Sequence, residues 1–198
     1  MSFNFSRKFD FLPKLTIGQE QLEVVESTKF LGVIISSDLK WNLHTEYATK
    51  KAKKKLWCIR RLSRLGASTA TLLDQYISVV RNTLEQATPI FSGALSKSNI
   101  DEFEDVQKTA FKIILKGNYV SYQNALIVLQ QETLENRRKT ISTNFAKNNF
   151  KHPKMKHLFR QKKSLKTRSG SIFEETLYKT KRALNGPINY LICLLNSS

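Results

Sequence analysis

The chain has 198 residues, with 33 Lys and Arg against 16 Asp and Glu, so its formal net charge is +17 and its isoelectric point about 10.0. That length allows one or two domains. Hydrophobic residues at 40% and aromatics at 10% exclude a disordered polycation, and 7 Gly with 4 Pro exclude a collagenous or low-complexity chain.

From 12 to 36 the sequence is rich in β-branched residues broken by turn signals: PKLTIG, then QLEVVE, then KFLGVIIS. This pattern predicts a hairpin turning at Gly18, followed by a third strand. After Trp41 the period changes. Ala48, Ala52, Leu56, Ile59 and Leu62 recur at three and four residues, the stripe of a core-facing helix that stops at Gly66. Ser68 can cap a second helix running to about Ala87, with Leu72, Leu73, Tyr76, Val79, Val80 and Leu84 apolar and Pro89 beyond its end. Ser98, with Asp101 three residues on, opens a third, carrying Phe103, Val106, Ala110, Ile113 and Ile114 to Gly117.

Further helices are expected at 122–130 and 134–150, the latter ended by Pro153. Residues 151–171 carry no acid and few apolar side chains, and read as a basic loop or tail that is ordered only when an anion holds it. In GPINYLICLLN, Pro187 suits a first helical position, and the apolar residues suit docking on the body. The expected fold is α+β and mainly α: a β remnant over 1–36, a helical domain over 37–117, and C-terminal helices over 118–198 with the basic loop at 151–171. No stretch approaches the ~20 apolar residues of a membrane span, and MSFNFSRKFDF alternates charged and aromatic residues where a signal peptide would be apolar. A soluble intracellular protein, nuclear or cytoplasmic, is expected, with KKAKKK similar to a nuclear localisation signal.

The charge is concentrated. No acid lies between 47 and 73 or between 136 and 173, and these windows hold 8 and 12 basic residues, leaving the rest of the chain at −3. Segments of that kind repel themselves unless a polyanion neutralises them, and the nucleic-acid backbone is the commonest such partner. In the first window Lys50, Lys54, Trp57, Arg61 and Arg64 share a helical row away from the apolar stripe, with Lys51 and Lys55 beside it. With no acid inside the window this face is expected to keep its full charge, and Trp57 offers an indole on which a base can stack. In the second window Arg137, Arg138, Lys162, Lys163, Lys166 and Arg168 are the candidate contacts.

Other chemistry is poorly supported. Asp101, Glu102, Glu104 and Asp105 could be metal ligands, but they fall where the first turns of a helix are expected, and carboxylates there complement the macrodipole. His44, His152, His157 and Cys193 match no zinc-ligand spacing. Cys58 and Cys193 sit among apolar residues and read as buried thiols. No serine stands in a nucleophile-elbow context.

The run KFLGVIISSDLKW, with LTIG upstream, resembles the end of the reverse transcriptase domain of LINE-type, non-LTR retrotransposons. The likeness continues in order: AKKKLWCIRRLSRLG is similar to that family's basic helix, YISVVRNTLEQATPIF to its next helix and Pro-containing exit, FEDVQKTAFKIIL to its Val-Gln-Lys helix, and LENRRK to the Leu and Arg pair after it. TRSGS and GPINYLICLLN resemble the closing segments of such reading frames. The resemblance implies that Phe30, Leu31 and Gly32 form a primer-grip-like hairpin, and that the helices up to Gly117 form a thumb gripping the template and primer duplex.

Family polymerases use paired aspartates, one in an Ala-Asp-Asp turn, to hold two Mg²⁺ ions. No Asp-Asp occurs here. The chain is thus expected to begin just downstream of that turn, to need no cofactor of its own, and to extend no primer alone. The implied function is that of a truncated C-terminal part of an RNA-directed DNA polymerase. It would bind nucleic acid, whether RNA–DNA or DNA duplex or single strands, without sequence preference, beside a separately supplied palm domain, with no membrane or small-molecule ligand. The alternatives are a helical protein-interaction module or a decayed reading frame without selected activity.

Overall fold

Two short hairpins precede the helices in the computed structural model, which describes residues 16–21, 23–161, 172–174 and 184–197. The first pairs β1 (Thr16–Ile17) with β2 (Glu20–Gln21) around Gly18 at φ +62°. The second pairs β3 (Ser27–Phe30) with β4 (Val33–Ser36) and closes at Phe30 opposite Val33, so Leu31 and Gly32 alone form the loop. Both loop residues have positive φ, 48° and 85°. That is a type I′ turn, whose twist matches the strands it joins. KFLGVIIS is therefore a hairpin folded at its Leu-Gly pair, not the single strand the alternation predicts, and residues 23–25 form no strand. The φ of Gly32 is what favours glycine there, and a Cβ would in addition displace the Gln86 amide, whose Nε2 would lie 2.6 Å away and donates to the Leu31 carbonyl at 3.0 Å.

Helix α1 (Asn42–Arg64) buries Ala48, Ala52, Leu56 and Ile59 of the expected stripe, while Leu62 is half-buried against the same core. It ends as a Schellman motif: Ala67 N–H donates to Leu62 O at 3.1 Å, Gly66 N–H to Ser63 O at 3.3 Å, and Gly66 takes φ +82°. Ser68 then caps α2 (Thr69–Gln75), accepting from Thr71 N–H at 3.2 Å. The helix continues through a π-helical segment, Tyr76–Arg81, into α3 (Asn82–Glu85). Such wide turns weaken the regular ladder. Here the Val79 carbonyl accepts from Thr83 Oγ1 at 2.8 Å and from Lys55 Nζ at 3.2 Å. Ala87, at φ +60°, ends the run, and Pro89 enters the first turn of α4 (Thr88–Phe91), followed by a 3₁₀ turn at Ser92–Ala94.

The cap of helix α5 (Lys97–Leu115) lies two residues before the expected one: Ser96, not Ser98, accepts from Asn99 N–H at 3.2 Å. The acidic cluster consequently starts in the second turn. Asp101 pairs with Lys97 at 3.1 Å and Asp105 with Lys108 at 2.8 Å, while Glu104 is buried. These side-chain partners replace the dipole role expected for the first turn. α5 runs parallel to α1: Asn99 Nδ2 donates to Asn42 Oδ1 at 3.0 Å at one end, and Lys116 Nζ to Ser63 O at 3.1 Å at the other. α6 (Tyr122–Val128) and α7 (Leu134–Asn149) follow, capped by Ser121 and Thr133. The described chain is α+β and mainly α, 65% helical, with the two strand pairs at its start.

The main core joins these elements through aromatic rings. Tyr76, Phe91, Phe103 and Phe111 are fully buried, with Tyr76 5.5 Å from Phe111 and Phe91 6.1 Å from Phe103 between ring centroids. A second, smaller core gathers Ala146, Phe159, Phe173, Leu191 and Ile192. Within 151–161 it departs from the expectation of a segment ordered only when an anion holds it: 151–155 are turns, Lys156–Leu158 is a 3₁₀ turn, Phe159 is 3% exposed, and Gln161 bridges Phe173. Apolar side chains at Met155, Leu158 and Phe159 outweigh the basic composition there, and 162–171 lies outside the described residues. α8 (Pro187–Asn196) starts at Pro187 and docks on this core as expected. Its Tyr190 lies so close to Gly93 that a Cβ there would meet the Tyr190 Cβ and Cγ at 2.6 Å.

His44 belongs to the main core, 3% exposed and 5.0 Å from the Phe91 ring. Its Nδ1 accepts from Ile34 N–H at 3.4 Å, which requires an unprotonated nitrogen. Burial pushes its pKa below 6.5. The unfolded chain therefore takes up a proton near pH 6.5 that the folded chain refuses, so this stability is complete above that pH and declines as pH falls through it. Melting temperatures of the wild type should drop more between about pH 7 and pH 5 than those of His44→Gln. Parallel curves would remove His44 from this account.

Candidate nucleic-acid interface

The outward face of α1 follows from its register. With the apolar stripe turned to the core, Lys50, Lys53, Lys54, Trp57, Arg60, Arg61 and Arg64 are all exposed. Trp57 is 67% exposed, and its neighbours at three and four residues in both directions are Lys53, Lys54, Arg60 and Arg61. None of those four has an ion-pair partner among the described residues.

Other expected contacts are differently placed. Lys50 pairs with Glu46 at 2.6 Å, because the acid-free stretch starts one residue after a carboxylate that stands four residues before Lys50. An exposed pair of this kind contributes little, but it lowers the charge at that end. Lys55 points into the fold, donating to Thr83 Oγ1 at 2.7 Å and to the Val79 carbonyl. Lys51 is half-buried, its Nζ 5.9 Å from the Tyr47 ring, over which Lys29 Nζ sits at 4.7 Å. The hydrogen bond from Lys29 draws the Tyr47 hydroxyl below its usual pKa.

The two arginines of α7 leave the candidate set. Arg137 forms a bidentate pair with Glu85, Nε to Oε1 at 2.5 Å and Nη2 to Oε2 at 3.2 Å, and that bond raises its pKa. Arg81 approaches the same carboxylate at 3.7 Å. Arg138 is 4% exposed, packed over the Phe103 ring at 5.4 Å, and burial lowers its pKa. Arg137 is thus held by a carboxylate and Arg138 is covered by the core. Lys162, Lys163, Lys166 and Arg168 lie outside the described residues. At the hairpin tip Phe30 and Leu31 are 63% and 80% exposed, and Gly32 is held against Gln86.

One cation was not foreseeable from local sequence. Lys116, beyond α5, reaches the carbonyl of Ser63 beside Arg64 and so extends the positive end of α1. Part of this charge complements the helix C-terminus, where Arg61 and Arg64 occupy the last turn. Among the described residues no group of three or more His, Cys, Asp or Glu is placed to hold a metal ion. Cys58 is half-buried and Cys193 exposed, so the expectation of a buried thiol fails at Cys193. No helix is long and apolar enough to cross a membrane among the described residues.

Comparisons of the chain with protein-family models, with curated proteins and with solved structures find no match.

Proposed function

We propose that the chain is a sequence-independent nucleic-acid-binding module, of the kind that a thumb of a non-LTR retrotransposon polymerase would supply, working through the outward face of α1. The observation that carries this reading is a rigid, exposed row with Lys53, Lys54, Arg60, Arg61 and Arg64 free of carboxylate partners among the described residues. From residue 53 to 64 the row spans about 17 Å at 1.5 Å per residue. That length matches roughly five phosphates at about 3.4 Å per step. Side chains that reach phosphates release counterions and read no bases, so affinity should depend on salt and not on sequence.

Titrating the full chain with a duplex and with a single strand at several salt concentrations tests this. Replacing Lys54, Arg61 and Arg64 by Gln should reduce the log–log salt slope by about 2 to 3, at roughly 0.7–0.9 per lost phosphate contact. An unchanged slope would remove α1 from the interface. A second reading has its own observation: the exposed Phe30 and Leu31 at the hairpin tip form an apolar spot of the kind that docks on another domain. Phe30→Ser with Leu31→Ser should raise solubility while leaving the helical melt nearly unchanged, and a large loss of thermal stability would place both residues in this chain's own core.

A further inference from the structure

We infer that the preferred partner of the α1 face is a single strand, with one unpaired base stacked on Trp57. The inference rests on the nucleic-acid reading above and adds which form of nucleic acid is bound. It starts from the contrast between the two tryptophans: Trp41 is 7% exposed and packs against His44 and Phe91, whereas Trp57 is 67% exposed. An indole with a polar N–H is normally mostly covered in a folded domain. Trp57 lies on the exposed arc of α1, away from the buried Ala52, Leu56 and Ile59.

Its π face is also open. Cations sit over the rings of Tyr47, Tyr119, Tyr122, Phe103 and Phe150, yet among the described residues none sits over Trp57, although four basic residues surround it. The arrangement is a flat aromatic platform inside a ring of phosphate-binding groups. A single strand satisfies both parts, because its backbone can follow Lys53, Lys54, Arg60 and Arg61 while a base turns inward to stack.

A duplex satisfies only one. Base faces inside a duplex are covered by their neighbours, so an indole could reach them only by wedging between steps and unstacking them. If α1 instead lay in a major groove, Trp57 would meet base edges, which present several donors and acceptors to a side chain with a single donor.

The test uses the full chain with a twelve-nucleotide oligo(dT) and a hairpin duplex of similar charge, following binding by tryptophan emission and by anisotropy of a labelled strand. Emission should be quenched saturably by the single strand, because the exposed indole is the one in reach, and Trp57→Phe should abolish most of that quenching. Trp57→Ala should weaken single-strand binding about 5- to 150-fold at every salt concentration, leaving duplex binding and the salt slope unchanged. The exposure of Trp57 means that its melting temperature should stay near the wild-type value, which circular dichroism checks. Equal weakening on both nucleic acids, or no quenching with normal salt-dependent binding, would overturn the stacking inference and leave the phosphate-binding reading intact. Salt-independent binding, or none, would overturn both.

Discussion

Gln107→Ala is expected to lower the free energy of unfolding by about 2–4 kcal/mol, through a stranded buried hydroxyl and a cavity together. Gln107 is 1% exposed at the middle of a polar network in an otherwise apolar core. Its Oε1 accepts from the Tyr76 hydroxyl at 2.5 Å, and its Nε2 donates to the Tyr122 hydroxyl at 2.8 Å and to the Glu132 carbonyl at 2.9 Å. The Tyr122 hydroxyl donates to Glu104 Oε2, and Glu104 Oε1 accepts from Glu135 N–H at 2.9 Å. Burial pushes the pKa of both tyrosines upward, so both remain donors.

One side chain thus joins the π-helical segment, α5, α6 and the loop that leads into α7. Urea denaturation of Gln107→Ala, Tyr76→Phe and the double variant measures the coupling. The second change should cost less in the Gln107→Ala background, because the hydroxyl it removes is already unsatisfied. Additive losses would show that the two residues do not act as a pair.

Phe91→Ala should cost still more, about 3–5 kcal/mol, the range for deleting a fully buried phenyl ring. Phe91 is 0% exposed, and its ring lies 5.0 Å from His44, 6.0 Å from Trp41 and 6.1 Å from Phe103. It ties the start of α1 to α5 across the short helix α4, so backbone relaxation cannot easily fill the space. Trp41 would sense the change through a red-shifted emission, separable from that of the already exposed Trp57. A loss near 1 kcal/mol with unchanged emission would mean that the site collapses around the missing ring.

What could be read beforehand was set by how local each signal is. The stripe Ala48, Ala52, Leu56 and Ile59 and the stop at Gly66 are contained within α1, and both were legible. The start of α5 was not, because Ser96, Ser98 and Asn99 are all competent caps, and the choice is made by Asn99 reaching Asn42 on another helix. Lys54 and Lys55 differ by one position in sequence but by 100° around the axis, and only the packing of the π-helical segment decides that Lys55 faces inward. Arg138 sits in an acid-free basic window, yet Phe103 supplies the surface that buries it. For the candidate interface, the exposed row around Trp57 was readable from spacing, whereas the Glu85 partner of Arg137, 52 residues away, was not.

The two cores share α7: Leu134 near its start belongs to the larger and Ala146 near its end to the smaller. A helix anchored in two packing units of unequal size need not open as a whole. The smaller unit closes when α8 seats Leu191 and Ile192 and when Asn196 receives the backbone N–H groups of Ile172 and Phe173 at 3.2 and 3.0 Å. Release of α8 therefore defines a partial opening that leaves the parallel α1 and α5 pair intact. Under native-state amide exchange, the α8 amides and the last turns of α7 should share one low opening free energy, while those of α1 and α5 exchange only with global unfolding. The proposed binding face thus stands on the slow-exchanging unit, where fraying of the C-terminal end leaves its geometry undisturbed.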